Sequence, residues 1–203
     1  MLRCYHAALL AQPMEGYAHV APILSKIELV EMLRASGDDA VRRLRALPAD
    51  SFAEGRYENG WNGRQILAHI ASIEWTYRRL IEVAQQADVP RATDAQADVR
   101  RTAAQETPGL PTRAAAGGID AYNGRQVEKR VEASPSELID EFARNRAQTI
   151  AAVEAADEAL FTAEIRSAGG VTGPLAGVLR AVAVEHVRGH VRDIAGGPRE
   201  SRR

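Results

Sequence analysis

The residues whose types and spacing could do chemistry are His69, His186 and His190. His186 and His190 stand four positions apart in AVEHVRGHVRDI, the interval that stacks two side chains on one helix face, close enough to hold one ion. On a helical reading that face continues the apolar stripe of Leu175, Val178, Leu179, Val182 and Ile194, so both imidazoles are expected to point into the protein and not at water. His69 lies in the same way between Ile66 and Ile73. Two facing helices would then present three imidazoles to one point, and three histidines with an open fourth position let a divalent metal bind and polarise water or a substrate thiol. The spacing fits equally well a set of core histidines, each hydrogen-bonded to a neighbour, and leaves that alternative open. His6 and His19 fall in an N-terminal stretch without regular patterning, so every histidine in the patterned part of the chain lies on a core-facing stripe.

Other chemistries lack their residues. Val187 follows His186, so there is no H-E-x-x-H protease helix, and the positions three before each histidine hold Ile66, Ala183 and Val187 where a di-iron bundle needs glutamate. No phosphate-cradling glycine loop is present, and no serine or cysteine nucleophile pairs with a histidine. The lone cysteine, Cys4, cannot form an internal disulfide, which points to a reducing, cytoplasmic setting. With 26 basic against 27 acidic residues, no global field would hold the chain to nucleic acid or to an anionic membrane. The apolar run at 7–11 is too short for a signal-peptide core or a membrane span.

The elements that must position the histidines follow from apolar periodicity. A first helix is expected over 25–47, with Ser25 and Glu28 as a capping box, Gly37 as a point of possible break and Pro48 as its stop. A second is expected over 62–87, capped by Asn62, with Ile66, His69, Ile70, Ile73, Tyr77, Leu80 and Ile81 as its stripe. Residues 88–118 read as a long excursion and 119–131 as a short helix. A third long helix is expected over 134–156 from the cap Ser134-Pro135-Ser136-Glu137, and a fourth from near Thr172 to the Gly196-Gly197-Pro198 stop. No strand pattern stands out. Four amphipathic helices bury their stripes most economically as an all-α four-helix bundle, with a long crossover between the second and third. The expected organisation is a loose extension over 1–24, with Met14 as an alternative start, the bundle over 25–196, and a disordered tail over 197–203.

Several other positions have a part to play on this reading. Asp193, three residues after His190, could orient an imidazole or make a helix-end ion pair. Glu185 points away from His186 towards solvent or another helix, and Gly189 could let a neighbour approach closely. Tyr122 and Asn123 are placed at a pocket mouth or in a packing role, Trp61 in the core, and Trp75 on the surface with Tyr77 nearby. An exposed Trp75 would supply the aromatic anchor of a homodimer.

Two segments carry a family resemblance. WNGRQILAHIASIEW and AVEHVRGHVRDI resemble the DinB-like superfamily, which includes the N-terminal domains of mycothiol-dependent maleylpyruvate isomerases, and IDAYNGRQVEKRVEASPSELIDEF resembles the stretch leading into the third helix of those proteins. The resemblance spans 27–195. It implies a four-helix bundle with one long crossover and a three-histidine site for zinc or nickel that matches His69, His186 and His190. It also implies a low-molecular-weight thiol as cofactor, a small-molecule substrate, a homodimer, and a metal-dependent, thiol-using transferase or isomerase activity. It assigns no catalytic or thiol-binding side chain. A non-catalytic, small-molecule-sequestering bundle and a purely structural metal site remain as alternatives, since fold does not specify chemistry.

Overall fold

Three of the helices start where the sequence supplies a side-chain oxygen for their free amides. In the computed structural model, which describes residues 24–55, 57, 60–88 and 117–196, α1 (Lys26–Arg45) begins at Ser25, whose hydroxyl accepts from the Glu28 amide while Glu28 accepts from the Ser25 amide. The short α2 (Asp50–Ala53) leads to α3 (Gly63–Glu74), where Asn62 and Gln65 form the same reciprocal box. Next come α4 (Tyr77–Asp88), α5 (Gly118–Glu128) and α6 (Pro135–Ala155), the last capped by Ser134 and Glu137 with Pro135 in its first turn. A 3₁₀ turn (Glu158–Thr162) and a hairpin of β1 (Glu164–Arg166) and β2 (Thr172–Pro174) precede α7 (Leu175–Leu179), a π-helical turn (Arg180–Glu185) and α8 (His186–Gly196). The expected extension, most of the excursion and the tail lie outside the described residues.

The architecture is all-α, as the periodicity implies, with α1, α6, α3 and α8 in a ring: α1 packs on α6 and α8, and α3 packs on the same two. Two apolar clusters fill the bundle. One joins Leu29 and Leu33 of α1 to Leu80 and Ile81 of α4 and to Leu175, Val178 and Leu179 of α7. The other joins Leu44, Ile66, Leu67, Ile70, Leu138 and Phe142 to Val187, Val191 and Ile194 of α8.

Four expectations about the elements are corrected. The second helix is two helices, because Thr76 turns its hydroxyl and its amide back onto the Ile73 carbonyl at 2.6 and 2.9 Å and ends the α ladder there. The fourth helix starts at Leu175, not near Thr172, and a π turn interrupts it. Residues 164–174, read without strands, form an antiparallel hairpin in which Ile165 faces Gly173 and is buried in the first cluster. Three-residue strands carry too little alternation to stand out in a sequence. Gly37 does not break α1; it is buried, and a Cβ there would lie 2.9 Å from Cγ of Arg146. No helix among the described residues is long and apolar enough to cross a membrane.

Candidate metal centre

His69 is presented by α3 and the other two histidines by α8, which packs directly against it. The three rings converge: His69 lies 5.4 Å from His186 and 5.2 Å from His190 between centroids, and His186 lies 4.4 Å from His190, all edge to face. Nε2 of His186 and Nε2 of His190 are 2.8 Å apart. One donor atom from each of the three residues falls within 4.8 Å of the others. Around an ion in tetrahedral geometry with metal–nitrogen bonds of about 2.0–2.1 Å, ligand nitrogens are about 3.3 Å apart. The 2.8 Å pair and a set of donors none more than 4.8 Å apart lie within small side-chain adjustments of that value, so the residues present fit a divalent ion.

The surroundings grade from apolar to polar. His69 is buried, and the Trp61 ring stands 5.4 Å from it, tilted by 47°. Trp61 is half-buried and so forms a wall of the site, where the sequence placed it simply in the core. His186 and His190 are half-buried, which corrects the expectation that they continue the stripe of α7 into the interior. The cause is the π turn. In an unbroken α-helix, His186 would fall about 20° from Leu179, seven residues on at 100° each. An i→i+5 turn inserts a residue and rotates all that follows by roughly 100°. The His186 amide makes that longer bond, donating to the Ala181 carbonyl. Val187, Val191 and Ile194 therefore take the core face of α8, and the two histidines move to its shoulder, between bundle and solvent.

Asp193 sits beside the site with a carboxylate oxygen 3.8 Å from Nδ1 of His190. That nitrogen is buried and makes no hydrogen bond among the described residues, so the carboxylate is the group placed to orient it while Nε2 faces the other rings. The end of α8 is tethered in turn by Tyr57, whose hydroxyl donates to the Asp193 carbonyl at 2.8 Å. Burial, and then the charge of Asp193, push the Tyr57 hydroxyl above its usual range and keep it a donor.

The remaining sequence candidates are dispersed. Glu185 is exposed and pairs with Arg180 and Arg188, as its helical angle implies. Gly189 is not a point of close approach, since a Cβ there would meet no atom within 4 Å. Tyr122 and Asn123 are half-buried on α5, which packs on α3, and the side-chain oxygen of Asn123, Oδ1, is buried without a hydrogen-bond partner among the described residues. Trp75 is half-buried and not the open aromatic surface expected of it, whereas Tyr77, at 5% exposed, is buried as its place on the stripe implies.

One constellation escaped the sequence reading. Glu74 and Arg146, 0% and 3% exposed, form a two-pronged ion pair in the middle of the bundle, Nε to Oε1 at 2.7 Å and Nη2 to Oε2 at 2.9 Å. Burial raises the Glu74 carboxyl above the usual carboxylate range, and the Arg146 charge pulls it back. The signal was there: Glu74 lies four residues from Ile70, and Arg146 lies midway between Phe142 and Ile150, so each charge stands on an apolar stripe.

Comparison with known proteins agrees with this architecture. The model of the DinB superfamily matches residues 32–194. No functionally curated protein matches the chain. Among solved structures, a mycothiol-dependent maleylpyruvate isomerase superposes with a TM-score of 0.60 at 18% identity, over 84% of this chain and 61% of that one. A histidine-to-alanine mutant of a mycothiol-dependent maleylpyruvate isomerase superposes with a TM-score of 0.59 at 16% identity over the same shares. This chain thus spans somewhat less than two thirds of those proteins, and at such identity the likeness is one of fold. With a family match running from α1 to the last turns of α8, the chain belongs to the DinB superfamily.

Proposed function

We propose that this protein is a divalent-metal-dependent enzyme that uses a small thiol in a transferase or isomerase reaction, with His69, His186 and His190 as ligands of a zinc or nickel ion. The observation that carries the reading is the convergence of three imidazole donors within 4.8 Å on the half-buried shoulder of α8. A site on a shoulder leaves room for a fourth ligand from solution, which a site sealed in the core would not. Bound there, the ion would supply Lewis acidity that favours the deprotonated form of a thiol. The protein's own residues do the rest. His69 is held by the buried face of α3, His190 is steadied by Asp193, and the Trp61 ring excludes water on one side. Mycothiol is named for the two similar structures, and a thiol of that class is the first to try.

The test is spectroscopic. Cobalt-loaded protein is mixed with mycothiol, glutathione or a simpler thiol, and a sulfur-to-metal charge-transfer band is expected in the wild type and not in His186→Ala. A fully loaded cobalt site that no thiol perturbs would remove the thiol chemistry. It would favour a second reading, an ion that only ties α3 to α8. The proposal also includes a homodimer in the cytoplasm, with the half-buried Trp75 as the remaining aromatic for an interface. Light scattering at micromolar concentration should give twice the 22.0 kDa chain mass; a monomer mass would remove that part.

A further inference from the structure

The Arg146 side chain crosses the bundle where the two apolar clusters meet. Besides Glu74 of α3, it donates to the Leu33 carbonyl of α1 at 3.1 Å, to Ser36 Oγ at 2.9 Å, and to the Ala183 carbonyl at 2.6 Å. Ala183 belongs to the π turn immediately before His186. One guanidinium from α6 therefore grips the helix that carries His69, the turn that sets the direction of His186 and His190, and α1 behind them. Gly37 makes this possible, because any larger residue would put a Cβ 2.9 Å from Arg146 Cγ. A π turn strains the helical ladder and changes the rotation of all that follows. A buried donor on a carbonyl of that turn opposes its relaxation to plain α geometry, since the donor would lose its partner.

We propose that Arg146, held by Glu74 and gripping the Ala183 carbonyl, is the positioning residue that keeps α8 in the register at which His186 and His190 meet His69. The inference rests on the metal-site reading above. Without the grip, the π turn is free to relax, and a rotation of roughly 100° would swing both imidazoles off the shoulder towards the face of Leu179, out of the arrangement in which they meet His69. Position and not bulk stability is the essential part, because a buried ion pair can often be replaced by apolar residues of like volume without loss of stability.

The experiment is a cobalt titration of the full chain, wild type against Glu74→Leu/Arg146→Met, with the visible d–d spectrum and a denaturation curve recorded for each. The double variant leaves no lone buried charge. It is expected to fold with near-wild-type helix content, to bind cobalt at least tenfold more weakly, and to show a d–d band altered in intensity and position. A purely structural role would shift the denaturation midpoint and leave the spectrum of the loaded site alone. A folded double variant with wild-type affinity and spectrum overturns the proposal. Should that variant fail to fold, Arg146→Lys reads the same quantity, since it keeps a cation beside Glu74 but has one nitrogen where the guanidinium serves three elements. Several-fold weaker binding with a changed spectrum supports the role, and unchanged binding overturns it. Wild-type protein that binds no cobalt would instead bring down the metal reading and this role together, whereas equal binding by wild type and variants brings down only the role.

Discussion

Three imidazoles from two helices make the smallest unit that can hold an ion here, and on the proposed reading each supplies one of three protein ligands. His69→Ala, His186→Ala and His190→Ala should therefore each remove most of the bound metal in elemental analysis. Helix content by circular dichroism should stay nearly unchanged, because the apolar clusters and not the imidazoles hold the bundle. Full metal content in all three variants would end the assignment. The three residues were legible as a set because each falls on an apolar stripe where a polar side chain needs a reason. Glu74 and Arg146 stand on stripes in the same way, yet their pairing was not legible. Whether two charges 72 positions apart meet depends on the azimuth of α3 against α6, which periodicity within either helix does not contain.

At the scale of the element, helix starts follow closely from local chemistry. Ser25 with Glu28, Asn62 with Gln65, and Ser134 with Glu137 all form reciprocal caps. Glu28 is held below its usual carboxylate range by hydrogen bonds from the Ser25 side chain and backbone, and Glu137 by bonds from the Ser134 backbone and side chain. In each case the folded value lies below the unfolded one. Their contribution to stability is thus present above the unfolded carboxylate value and is lost as pH falls through the lowered folded values. Glu28→Gln/Glu137→Gln should flatten that acid limb of the denaturation midpoint against pH, and a limb as steep as the wild type's would contradict it. Helix interruptions were less legible. Thr76 ends α3 by a back-bond that many threonines inside helices also make, and the π turn occupies a run of ordinary helix formers, RAVAVE, with no breaker among them.

For the whole molecule, Phe142 of the second cluster is 0% exposed, with the Arg146 guanidinium carbon 5.2 Å from its ring centre. Phe142→Ala should cost about 3–5 kcal/mol, the range for truncating a buried aromatic with incomplete collapse of the cavity. Denaturant unfolding measures this, and a loss under about 1 kcal/mol would show a looser centre than the contacts imply. By itself the sequence determined the all-α class, the caps that begin α1, α3 and α6, the core stripes of helices that run unbroken, and which three histidines could converge. These depend on the 3.6-residue period and on side chains within four positions of each other, quantities local to the chain. Tertiary structure decided the rest: that α3 and α8 lie side by side, that Glu74 and Arg146 pair across the bundle, and that His186 and His190 stand on its shoulder. The physical reason is rotation. One inserted residue in the π turn swings a whole helix face by roughly 100°, and that choice is made by distant partners such as Arg146.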